Sequence, residues 1–190
     1  MTALAPLAVG ILDFWFVPRG VTRREWFTKD DAFDEAIRTR FGAALAAGVA
    51  GAFGEWCTTP HGSLARVLLL DQFTRNAFRG SPDAFAGDAR ALATTRDAIE
   101  RGFDRSLDAR ERWFLYMPFQ HSESLADQDR GIALFDALAQ ETGLTDPLPY
   151  PRRHRDVIGR FGRFPHRNDI LGRASTADEL AFLREPGSRF

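Results

Sequence analysis

Cysteine is nearly missing: Cys57 stands alone among 190 residues. A single thiol excludes an intrachain disulfide framework and suits a reducing compartment. Lysine is just as scarce, with Lys29 the only one, so the 25 basic residues include 24 arginines (25 less one). Arginine spread along the whole chain reflects codon bias, and clusters of it are discounted accordingly. A surplus of either charge is absent too, the formal net charge being −1. That balance leaves no bulk basic surface to draw in nucleic acid or an anionic membrane. No apolar run approaches bilayer-spanning length. The opening MTALAPLAVGILDFWFV lacks a basic start and a small-residue cleavage site, and Asp13 interrupts it, so it does not read as a secretory signal. The expectation is a soluble, cytoplasmic protein with neither nucleic acid nor membrane as partner.

What the chain does have is a core. Hydrophobic residues make up 44% and aromatics 12%, enough for one globular domain over 1–190 without disulfides. Apolar residues recur at three- and four-residue offsets, as in Phe33, Ile37, Phe41, Ala44 and Leu45, the helical pattern. Glycine and proline punctuate it. Helices are expected over about 7–16, 30–48, 63–78, 83–101, 108–116, 124–141, 152–161 and 177–184. Pro118 is expected to end or kink its helix, and Thr176 with Glu179 reads as a capping box. No strand-length alternation lies between turn signals. The fold class is all-α, with antiparallel helix pairs forming a bundle or a superhelix.

Three polar elements carry the chemistry. In LLLDQFTRNAFRG (68–80), Asp71, Arg75 and Arg79 fall at i, i+4 and i+8. They read either as an intrahelical ion pair on an outer face or, with Gln72 and Asn76, as the polar floor of a pocket. In LYMPFQHSES (115–124), His121 and Glu123 bring imidazole and carboxylate together, a pair suited to acid–base work. Ser122 or Ser124 as a cap for the next helix is the plainer reading of the same stretch. In GRFGRFPHRNDILGR (159–173), Arg160, Arg163 and Arg167 would hold a carboxylate or phosphate. There His166 would transfer protons, Asn168 would orient the ligand, and Pro165 would open a short helix over PHRNDIL. His154 is expected to point inward, more as a core histidine than a ligand. A metal version would combine His121 and Glu123 with His154 or His166, but that spacing matches no standard site, and no metal is expected. Cys57 and His61 flank a turn and read as structural.

Taken together, ILDFWF, WFTKDDAFDEAIRTRF, LLLDQFTRNAFRG, FLYMPFQHSES with LADQ, and HRDVIGRFGRFPHRNDILGR with ST resemble a bacterial family known as domain of unknown function number 924. The likeness runs from about Ile11 to Leu183. It implies a helical, tetratricopeptide-like fold and no established reaction, substrate or cofactor. Two functions follow as expectations. One is a pocket for a small anionic ligand, with His121, Glu123 and His166 as catalytic groups. Its binding groups would be Asp71, Gln72, Arg75, Asn76, Arg160, Arg163, Arg167 and Asn168. The other is a protein or peptide interaction module whose polar motifs are buried ties.

Overall fold

Prolines and side-chain caps place the helix starts. In the computed structural model, which describes residues 3–188, helix α1 (Pro6–Phe16) begins at a proline, where the missing amide has no helical partner to lose. Helix α2 (Asp31–Val49) is capped by Asp30, whose carboxylate accepts the Phe33 amide at 2.9 Å. Helix α3 (Pro60–Val67) is capped by Thr59 in the same way. It runs without a break into a π-helical segment, Leu68–Phe73, and on into α4 (Thr74–Ala77). Helices α5 (Asp88–Glu100), α6 (Ala109–His121), α7 (Leu125–Thr142), α8 (Pro149–Phe161) and α9 (Ala177–Phe182) follow. No strand occurs among the described residues. The fold is all-α.

The chain packs as two compact units, the first holding α1–α5 and α6 up to Pro118, the second holding the end of α6 and α7–α9. In the first, Trp15 is fully buried and meets the rings of Trp26, Phe33, Phe73 and Phe114 at centroid distances of 5.4 to 6.0 Å. Such offset and edge contacts add to burial. In the second, α7 packs on α8. Val157, Ile158 and Phe164 form a core there, with Phe161 and Phe182 against it.

Three local expectations need correction. Pro118 does not end its helix, since α6 continues to His121 with the proline inside. Every residue from 111 to 120 is buried, and burial on all sides outweighs the roughly 3 kcal/mol that an internal proline costs. PHRNDIL forms only a 3-10 turn at Pro165–Arg167. Its following amides bond back to nearby carbonyls: Asn168 to Pro165, Leu171 to Arg167 and Arg173 to Asn168. Ser124 occupies the N-cap position of α7 without a capping side-chain bond. Ser122 instead accepts the Ser124 amide and donates to Asp127 at 2.7 Å. The capping box of Thr176 and Glu179 forms as read.

Close approach rather than turn geometry explains Gly87. A Cβ at that position would overlap the Leu70 carbonyl of the π-helical segment. Gly87→Ala is expected to destabilise the protein by on the order of 1–3 kcal/mol, seen as a lower urea midpoint at unchanged slope.

Candidate functional site

The π-helical segment is buried throughout and carries polar side chains among its apolar ones. Asp71 is fully buried within it. It accepts from Gln72 Nε2 at 2.6 Å and pairs with Arg75 at 3.2 Å. Arg75 also forks onto Asp88 at 2.8 and 3.0 Å. Asn76 donates to the Gln72 carbonyl, and Arg79 pairs with Asp34 at 2.6 Å. The stripe is therefore no outer-face ion pair. It ties α4 to α2 and to the start of α5, because charges brought this deep need partners. Segments of π-helix are often associated with functional positions.

In the second unit, two of the polar elements meet. Glu123 accepts from Arg173 at 2.7 and 2.9 Å and from the Phe164 amide at 2.8 Å. Arg173 also donates to the Phe164 carbonyl at 3.1 Å and to Asn168 at 3.0 Å. Burial works against ionisation of Glu123, but Arg173 and the Phe164 amide outweigh it and hold the carboxyl below its ordinary range. Phe164 is thus gripped by both backbone groups. Asn168, fully buried, donates to Ser175 at 3.0 Å and to Glu179 at 3.3 Å. Arg163 forks onto Glu179 at 2.7 and 2.8 Å, and the Thr176 amide adds a third donor at 2.7 Å. These bonds, that of Arg163 first, pull the Glu179 carboxyl down to about 2.

Nitrogen heterocycles and a guanidinium surround the Phe164 ring. His154 lies edge-on to it at 5.6 Å, His166 is tilted at 5.5 Å, and the Arg167 guanidinium sits over its face at 4.5 Å. His121 stands 6.1 Å from His154. His154 is buried and hydrogen-bonded to the Tyr150 carbonyl at 2.8 Å, as its helical face foretells. Burial, then the charges of His121, Arg167 and His166, push its pKa down to about 3. His121 and His166 are half-buried, so both reach solvent.

Of the residues singled out in the sequence, His166 and Arg167 contact Phe164, and His121 lies beside His154. Glu123, Arg163 and Asn168 are held in the adjoining ion-pair network. Arg160 is exposed and stacks over Phe161 and Phe182. Arg173 and Phe164 were not singled out as site residues, since a contact across 50 positions leaves no trace in local spacing. Glu179 showed only its capping role. In the first unit, His61 contacts Glu111 at 3.4 Å and Arg19 binds the same carboxylate at 2.8 Å. Burial opposes the charge of Glu111, yet His61, Arg19 and the Asp108 amide carry its pKa down to about 2. No group of three or more His, Cys, Asp or Glu among the described residues is arranged to hold a metal ion. No helix of the described residues is long and apolar enough to cross a membrane.

Comparison with known proteins agrees with the motifs. No curated protein matches the sequence. A solved structure, that of the protein of unknown function ATU0120 from Agrobacterium tumefaciens, is 41% identical. It superposes with a TM-score of 0.84 over 96% of this chain and 99% of its own. A family model described as bacterial protein of unknown function (DUF924) matches residues 11–187. That match spans nearly the whole chain, and the protein belongs to the DUF924 family of bacterial proteins.

Proposed function

We propose that the second unit binds a small anionic molecule, a carboxylate or phosphate, against the cluster of His121, His154, His166 and Arg167. The observation that carries this reading is the convergence of two imidazoles and one guanidinium on a single buried ring, with a third imidazole, that of His121, 6.1 Å from His154. The charges of His121, Arg167 and His166 each oppose the protonation of His154. A bound anion relieves that repulsion. It gains charge-assisted hydrogen bonds from the guanidinium fork and from whichever imidazoles take up protons. His121 and His166, with solvent access, are the groups placed to pass a proton to or from the ligand. Glu123 and Arg173 act through Phe164, whose backbone they fix at both ends.

Thermal unfolding with phosphate, sulfate and succinate, against chloride at matched ionic strength, tests the reading. One of these anions is expected to raise the melting temperature by several degrees at pH 5.5 and by less at pH 7.5. At a hundredfold excess over Kd the gain is about 2.7 kcal/mol. His166→Asn and His121→Asn should each blunt the response. Equal effects of chloride and all three anions at both pH values would sink the proposal.

A further inference from the structure

The end of α8 and the start of α9 enclose an open cleft of about 430 Å³, lined by Arg160, Phe161, Arg163, Thr176, Asp178 and Glu179. Two of its four charges cancel, because Arg163 and Glu179 are locked in a forked pair. The other two do not. Arg160 lies over the faces of Phe161 and Phe182, 4.6 and 5.8 Å from their centroids, and no hydrogen bond or ion pair engages it among the described residues. Asp178 is exposed and equally without a partner among the described residues. The two line the same cleft without closing on each other. The aromatic ring of Phe161 and the hydroxyl-bearing Thr176 line the cleft with them.

We infer that this cleft is a binding site for a small zwitterion of amino-acid type, distinct from the cluster around Phe164. Its carboxylate would pair with Arg160, whose planar donors are pre-positioned by stacking. Its ammonium would pair with Asp178, and its apolar side chain would lie on Phe161. A simple anion fits less well, because Asp178 repels it. A simple cation meets the same obstacle at Arg160. Exposed pairs of opposite charge ordinarily close on one another, with little gain. Here a ligand carrying both charges satisfies both groups at once and covers the aromatic wall. The volume suits a free amino acid or a dipeptide, and openness to solvent suits exchange.

The test titrates the intact protein with L-phenylalanine, N-acetyl-L-phenylalanine and L-phenylalanine amide, followed by calorimetry and ligand-observed NMR. The parent is expected to bind saturably. Removing either ligand charge should weaken binding about tenfold, equivalent to about 1.4 kcal/mol. Arg160→Gln should abolish the preference for the parent over the amide. Asp178→Asn should abolish the preference over the acetylated form. His166→Asn should change none of these affinities, which separates this site from the anion cluster. Both substituted side chains are exposed, so unchanged urea midpoints will show that the fold is intact. The inference is overturned if none of the three saturates, if all three bind alike, or if the two charge-removing variants bind the parent as wild type does.

Discussion

Phe164→Ala is expected to cost about 3–5 kcal/mol of stability, the range for deleting a buried ring from a packed core. Phe164 is fully buried and packs with Val157 and Ile158. It also seats His154, His166 and Arg167. Phe164→Leu separates these two duties. Leucine refills much of the volume, so its cost should be closer to the 1–2 kcal/mol of a hydrophobic swap. It offers no aromatic face to the guanidinium and no ring for the imidazoles. The leucine variant should therefore stay folded while losing most of the anion-dependent rise in melting temperature. Urea midpoints at constant slope measure the first effect, and the anion series measures the second. A leucine variant with a full anion response would show that the ring does not organise the cluster.

Acid will destabilise the protein earlier than its carboxylates alone would dictate, and His154 is the reason. Its folded pKa of about 3 lies below the ordinary 6.5, because burial and the facing His121, Arg167 and His166 disfavour the imidazolium. Between those values the unfolded chain binds a proton that the folded chain refuses. Stability is thus complete above pH 6.5 and falls with decreasing pH, by about 1.4 kcal/mol per pH unit for this one group. His61 has the opposite sign. Its hydrogen bond to Glu111 raises its pKa, so its contribution is present below 6.5 and is lost as pH rises through the raised value. Glu111 and Glu179, both brought to about 2 from an ordinary 4.5, add stability above 4.5 that disappears towards pH 2. The window from pH 6.5 to 4.5 therefore lies clear of Glu111, Glu179 and His61, and there His154 makes its contribution. His154→Gln, which can still reach the Tyr150 carbonyl, should flatten the fall in melting temperature across that window. An unchanged slope would mean that another group governs the acid limb. A ligand anion should flatten the wild-type slope as well, because it favours the protonated ring.

Helices α1, α2 and α7 were legible within one or two residues, because apolar periodicity and capping side chains act over one turn of chain. The same locality explains the capping box before α9 and the inward face of His154. The failures share the opposite cause. Pro118 reads as an end or a kink, yet α6 does not end there, because burial on all sides offsets what the proline removes. The PHRNDIL segment reads as a helix start, but its amides close on carbonyls nearby. The LLLDQF run gives no warning of π-helical geometry, which widens the turn around Asp71.

Composition and local pattern by themselves determined an all-α chain with its polar residues concentrated in three segments, while the DUF924 family came from the likeness of its motifs and the family match. Periodicity and caps are short-range, and they can be read without knowing what lies across the molecule. Only the tertiary structure decided the roles within those segments. It joined Glu123 to Arg173 and Arg163 to Glu179 as ties, and left Arg160 uncommitted in an open cleft. The physical reason is that a charged side chain takes its function from the partner it meets. That partner is chosen by packing, 16 positions away for Arg163 and 50 for Arg173.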